Sequence, residues 1–352
     1  MTGALTTATQ LAVLIDALPR QRIAVLPTGL QPLPRLAAHA RVGEFLAKRD
    51  DLTGIALGGN KSRLMEFVLG DALATGCDVL IAGGGGEQSN HAVQCTASAN
   101  RVALETIVVL QRRPDARSSG NALLHELMGG RTEWIDSDPE LRDRTSASAT
   151  MQALADELRS QGRRPYVLES SLHPLSVIAY VNALLELHAQ LPDTAQQPTR
   201  IYVTSEGAAL GGLLLGTKLL GLPWEIIGLD WRPQQGGVPE RLHGMINAAA
   251  ALLGLDGLVH QQDIVIRPEG GPAYGVGRAE SWQAIRVAAE LEGLILDPVY
   301  TAKGMAGTLD DLDARPLDGS GRVVFVHTGG VGAVFAYEDE LRQHVIAARV
   351  HP

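Results

Sequence analysis

Four short segments gather residue types that do chemistry, and each stands where an apolar run gives way to glycine. The first is Gly58-Gly59-Asn60-Lys61-Ser62-Arg63, a little downstream of Lys48-Arg49-Asp50-Asp51. Paired glycines permit a sharp turn and Asn60 suits a helix cap, which places Lys61 at a helix start. A cation there faces the positive end of the helix dipole, a setting that favours the neutral amine of a Schiff-base nucleophile. Taken alone, a lysine in such a turn is more commonly a solvated surface residue. The second segment, Gly83-Gly84-Gly85-Gly86-Glu87-Gln88-Ser89-Asn90-His91, opens a helix with free backbone N–H groups and the Ser89 hydroxyl, an anion site suited to a carboxylate. His91 stands at no metal-ligand spacing from another ligand, so no metal is assigned.

The third segment, Thr204-Ser205-Glu206-Gly207-Ala208-Ala209, also lies between a strand and a helix, the geometry of a phosphate cup. It is neither a Walker loop nor a dinucleotide fingerprint. A carboxylate facing a phosphate repels it, so Glu206 must point away or be answered by a cation. The fourth is Asp297-Pro298-Val299-Tyr300-Thr301-Ala302-Lys303-Gly304, with Ala273-Tyr274-Gly275 before it and His327-Thr328-Gly329-Gly330 after it. Two of the six tyrosines thus stand beside turns and are candidates for proton transfer, although partly buried packing is the commoner fate of tyrosine.

The elements that must position these segments alternate. Short apolar runs at 78–82, 106–110, 164–168, 201–204, 225–230 and 322–327 each precede a longer amphipathic stretch. A long helix is expected over 275–292 and a last one over 332–347. Such alternation predicts an α/β fold with mostly parallel, twisted sheets flanked by helices, and ligands in such sheets lie beyond the strand ends.

Composition narrows the function classes. With 45% apolar and 20% charged residues the chain is globular in type, and a net charge of −9 disfavours nucleic acid and anionic membranes as partners. Cys77 and Cys95 are too few for a disulfide framework, which fits a reducing cytoplasm. No apolar run reaches the ~20 residues a membrane helix needs.

In order, the segments KRDDLTGIALGGNKSR, GCDVLIA, EQSNHA, LDPVYTAKGMAG and FVHTGG resemble the pyridoxal-phosphate enzymes of the tryptophan-synthase-β fold type, in the branch of D-cysteine desulfhydrase and 1-aminocyclopropane-1-carboxylate deaminase. The resemblance runs from about Pro27 to Tyr337. It implies fold type II, with a small domain (65–172) inserted into a larger cofactor-binding one (1–64 and 173–352), and a homodimer. It implies pyridoxal 5'-phosphate as cofactor, carried covalently by Lys61, which also moves the substrate's α-proton.

By the same resemblance Asn60 and Asn90 lie beside the cofactor, Asn90 at its phenolic oxygen, and Ser89 and His91 lie near the substrate carboxylate. Thr204, Ser205, Gly207, Ala208 and Ala209 correspond to the phosphate loop in position, although the usual SGGT-like text is here SEGAA. Tyr274 and Tyr300 match the two active-site tyrosines. Thr301 and Thr328 stand where deaminases typically carry Glu and Leu. A carboxylate keeps the pyridine nitrogen protonated and strengthens the electron sink that ring opening needs; a hydroxyl does not. The expected activity is therefore β-elimination on a small β-substituted amino acid, D-cysteine first. L-Cysteate sulfo-lysis, cyclopropane-ring deamination and a non-catalytic cofactor- or amino-acid-binding role are the alternatives.

Overall fold

The computed structural model describes residues 6–112, 118–136, 144–169, 173–191, 197–231, 237–256, 258–268 and 273–347. The strands in chain order are β1 (Leu30–Pro32), β2 (Glu44–Lys48), β3 (Val79–Gly86), β4 (Glu105–Arg112), β5 (Arg131–Asp136), β6 (Pro165–Leu168), β7 (Thr199–Val203), β8 (Trp224–Leu229), β9 (Ile266–Arg267) and β10 (Arg322–Val326). They form two sheets. One has the order β1-β2-β10-β7-β8-β9 and is parallel except for β1; the other is β5-β4-β3-β6 and wholly parallel.

The near-continuous apolar runs follow from burial on both faces, the habit of a parallel sheet covered by helices. In β10, Val324 and Val326 enter one core with Leu46, Ile201 and Ile226. Val323 and Phe325 enter the opposite core with Phe45, Tyr202 and Ile227. β10 sits centrally, Val324 pairing with Leu46 on one side and Ile201 on the other. Helices Pro174–Gln190, Ala208–Leu220 and Val238–Leu252 supply the first core, and helices Ala279–Glu292 and Thr301–Ala314 the second.

The helix Lys61–Ala74 serves both sheets. Leu64 and Phe67 enter the core of the six-stranded sheet, while Met65, Val68 and Leu69 pack with Leu80, Ala82 and Val108 of the four-stranded one. Spacings of three and four residues put each set on its own face. Position 65 therefore falls inside a continuous helix, and residues 170–172 at the other expected boundary lie outside the described residues. We keep 65–172 inserted into 1–64 and 173–352 as our proposed division, with the helix Lys61–Ala74 shared between the two units.

Three local expectations need correction. The helix expected over 275–292 begins only at Ala279, because Gly275 takes φ +70° and Ala273 bridges to Val276. The helix expected over 332–347 is instead a tight 3-10 run (Val331–Tyr337), one α-turn (Glu338–Leu341) and a wide π-type turn (Arg342–Ile346). Asn60 does not cap its helix; its backbone is already helical (φ −62°, ψ −21°) and its side chain bonds no helix N–H. Among the described residues, no helix is long and apolar enough to cross a membrane.

Candidate active site

The segments singled out by their chemistry converge at the strand ends. After β2 the chain loops through Gly58 (φ +80°) and Gly59 (φ +139°) before Lys61 opens its helix. The loop is tied to itself, Gly59 N–H donating to Thr53 Oγ1 (3.0 Å), and to helix Asn90–Asn100, Gln94 Nε2 donating to Gly58 O (2.9 Å). Gly59 pairs as an isolated bridge with Gly329, and Asn60 N–H donates to Thr328 O (3.0 Å). A Cβ at Gly59 would lie 2.3 Å from Asn90 Nδ2. The turn that leads into Lys61 thus meets Asn90 and Thr328 from two other stretches of chain. Gly59→Ala is expected to displace Asn90 and strain the turn, so that the purified variant takes up no pyridoxal phosphate by visible absorbance while its far-UV dichroism stays native.

Ser89 caps helix Asn90–Asn100 by accepting from Ala92 N–H (3.3 Å), which leaves its hydroxyl proton to give. His91 lies back along the same helix, its ring nitrogens 3.7 and 3.5 Å from Cys95 Sγ. Burial pushes the Cys95 thiol far up, and the nearby Lys61 charge pulls it the other way. His91 therefore lies beside a buried, protonated thiol on the Lys61 side of this helix.

At the end of β7, Ser205 Oγ accepts from Gly207 N–H (3.1 Å) and shapes the turn into helix Ala208–Leu220. Thr204 Oγ1 and Asn60 Oδ1 are both buried with no hydrogen-bond partner. Helix Thr301–Ala314 closes onto this turn so tightly that a Cβ at Gly304 would strike Thr204 Oγ1 at 1.8 Å. A helix N-terminus with orphaned polar atoms beside it, and a lysine at the start of another helix, are groups that fit a phosphorylated aldehyde. Glu206 is half-buried and already engaged with other groups.

Tyr274 and Tyr300 meet. Their rings lie 6.0 Å apart edge to face, with 3.4 Å between hydroxyls, and Trp231 packs against them at 5.6 and 5.2 Å respectively. A Cβ at Gly86 would touch the Tyr274 ring at 2.7 Å, and Ser89 N–H donates to Gly86 O (3.0 Å). The tyrosines are in this way joined to the Ser89–Asn90 loop. Tyr274 also walls a cavity of about 310 Å³ that carries the Glu87 and Glu340 carboxylates.

Thr301 is fully buried, and its hydroxyl is bound up with Asp297: it donates to Oδ1 (2.7 Å) and accepts from Asp297 N–H (2.8 Å). Its one proton is therefore committed. Asp297 also accepts from the N–H groups of Val299, Tyr300 and Thr301, fixing the start of the tyrosine-bearing helix. Burial pushes the Asp297 carboxyl up, against those hydrogen bonds and the charge of His327.

Sequence reasoning passed over Asp297, Lys303 and Trp231 as individual residues. Lys303, fully buried, donates to Trp231 O (2.9 Å) and Ala273 O (2.7 Å), and burial pushes its ammonium down to about 8. The available signal was a charged residue amid the small, apolar Ala302, Gly304, Met305 and Ala306. The chain has four lysines. Lys48 pairs with Glu186 (3.1 Å), Lys218 with Asp263 (2.8 Å), and Lys303 serves the two carbonyls; Lys61 is the one that follows the Gly59-Asn60 turn, which meets Asn90 and Thr328.

The sequence profile described as "Pyridoxal-phosphate dependent enzyme" matches residues 22–329. The chain is 32% identical over 335 residues to a putative 1-aminocyclopropane-1-carboxylate deaminase of Pyrococcus abyssi, covering 95% of this chain and 98% of that one. It is 33% identical over 330 residues to a D-cysteine desulfhydrase of Klebsiella pneumoniae, covering 92% and 97%. Among solved structures, one described as an ACC deaminase homologue superposes with a TM-score of 0.85 at 30% identity, covering 96% of this chain and 99% of that one.

Proposed function

The chain belongs to the pyridoxal-phosphate-dependent enzymes, in the branch of D-cysteine desulfhydrases and 1-aminocyclopropane-1-carboxylate deaminases, and on that premise we propose that it eliminates the β-substituent of a small amino acid, D-cysteine first. Overall, D-cysteine and water become pyruvate, ammonia and hydrogen sulfide. The observation that carries the reading is an unbroken path of neighbours from Lys61 through Gly59, Asn90, Ser89 and Gly86 to Tyr274 and Tyr300.

Pyridoxal phosphate, when bound, supplies an electron sink for the carbanion left as the α-proton departs. Lys61 Nζ would hold it and accept that proton, Asn90 would stand beside its phenolic oxygen, and Thr204, Ser205, Gly207, Ala208 and Ala209 would hold its phosphate. Ser89 Oγ and the first-turn N–H groups of its helix, with His91 alongside, bind the substrate carboxylate. Tyr300 Oη delivers a proton at the departing sulfur, with Tyr274 Oη next in line.

Thr301 and Thr328 favour elimination over ring opening, since neither offers a carboxylate to the pyridine nitrogen. Against L-cysteate stand Glu87 and Glu340 near Tyr274, whose charges disfavour a sulfonate. Cytoplasmic location and a homodimer remain part of the proposal.

Tyr300→Phe tests the mechanism. With D-cysteine it is expected to lose kcat by about 10²- to 10⁴-fold while keeping the wild-type visible absorbance. Unchanged turnover removes Tyr300 from the chemistry, and unchanged binding with no wild-type turnover on D-cysteine, L-cysteate or the cyclopropane amino acid favours the non-catalytic alternative.

A further inference from the structure

We propose that Lys303 is a positioning residue for this reaction, its ammonium clamping the backbones at Trp231 and Ala273 to the helix Thr301–Ala314 that follows Tyr300. The inference rests on the reading of Tyr274 and Tyr300 as substrate-facing groups. The aromatic wall is made of Trp231, Tyr274 and Tyr300, and these come from three separate stretches of chain. Tyr300 is fixed by the carboxylate of Asp297, which accepts its N–H and that of Thr301. The other two rings depend on Lys303. One N–H of its ammonium goes to Trp231 O at 2.9 Å, and a second goes to Ala273 O at 2.7 Å, the carbonyl of the peptide that carries Tyr274. Lys303 follows Tyr300 by three residues, so a single turn of helix holds one ring and grips the backbones of the other two.

Burying an ammonium is expensive, and here the cost is offset by the two carbonyls it bonds, which an apolar side chain of similar length would leave buried and unpaired. The lysine is fully buried, with Asp297 and Asp230 attracting its charge and Arg278 opposing it, and it titrates near 8, within reach of neutrality. A neutral amine still has two N–H groups, so the clamp survives deprotonation. The ammonium or amine holds the rings at one spacing, and misplacement by about 1 Å is enough to cost about 10²-fold in rate.

The test is a double-mutant cycle on the holoenzyme with D-cysteine, using Lys303→Met, Tyr274→Phe and the pair. Lys303→Met is expected to lower kcat about 10- to 100-fold with a smaller change in KM. In the Tyr274→Phe background the same substitution is expected to lower kcat less than about 3-fold, because its effect passes through that tyrosine. A second readout needs no turnover: Lys303→Met is expected to change the tryptophan emission of the cofactor-free full chain, and that change should vanish in a Trp231→Phe background. Equal losses in both backgrounds, or emission unaltered by Lys303→Met, overturn the inference. If Lys303→Met does not fold, Lys303→Gln takes its place in the same cycle. If the wild-type protein releases no product, the functional reading fails, and the emission arm still decides whether Lys303 holds the wall.

Discussion

Lys61→Ala is expected to abolish turnover, with a loss of at least about 10⁴-fold, and to leave the protein without covalently held cofactor. The proposed function gives this one amine two roles, to anchor the cofactor and to move the α-proton, and the second by itself is worth about 10²- to 10⁴-fold. Lys61→Arg should be no better, since a guanidinium stays charged and is not nucleophilic at neutral pH. Lys218→Ala is the control: that lysine is 40% exposed and paired with Asp263, and its loss should leave kcat unchanged. Steady-state kinetics with visible absorbance on the three variants check the prediction. Appreciable turnover by Lys61→Ala would remove this lysine from both roles.

The second large effect is on stability. Two residues after Lys61, the guanidinium of Arg63 is wholly buried and donates to Asp50, Thr28 and Glu186 through bonds of 2.8 to 3.0 Å. Tyr180 Oη adds a bond to Asp50 Oδ2 (2.9 Å), and Lys48 Nζ bonds Glu186, Thr28 O and Gln190. These contacts pin the first turn of the Lys61 helix to β2 and to helix Pro174–Gln190. Arg63→Met fills the space but leaves Asp50 and Glu186 facing a buried void of charge, a loss of about 3–5 kcal/mol.

Thermal unfolding should fall by at least about 5 °C. The effect also has a pH signature. Burial pushes the Asp50 carboxyl up, but the Arg63 guanidinium, Lys48 and Thr28 outweigh it and hold it below the usual carboxylate range. A group lowered on folding stabilises fully above its unfolded value of about 3.9, and that contribution is lost as pH falls through the folded value. The gap between wild type and Arg63→Met should therefore be widest near pH 7 and narrow below about pH 4. A gap independent of pH would detach Asp50 from the stabilisation.

What was legible in the sequence follows from which signals are local. Central strands such as β7 and β10 announce themselves because two buried faces require an unbroken apolar run. β5 did not: Arg131-Thr132-Glu133-Trp134-Ile135-Asp136 mixes charge with apolar residues because, among the described residues, it lies at a sheet edge beside β4. The glycine turns marked the strand ends, and with them Lys61, Asn90, Tyr274 and Tyr300. Lys303 and Asp297 were hidden because their partners are long-range or backbone. A carbonyl 30 or 72 residues away leaves no trace in local composition. Arg63 and Asp50 were hidden for the same reason, since Glu186 answers Arg63 from 123 positions along the chain.

The most direct measurement is to reduce the cofactor-loaded protein with borohydride, which fixes a pyridoxyl group to whichever lysine carries it, and to map the labelled peptide. With four lysines in the chain the outcome is unambiguous. The label is predicted on Lys61 alone. Label on Lys303, whose ammonium burial pushes down to about 8, would contradict both the proposed centre and the clamp, and no label at all would contradict a covalently held cofactor.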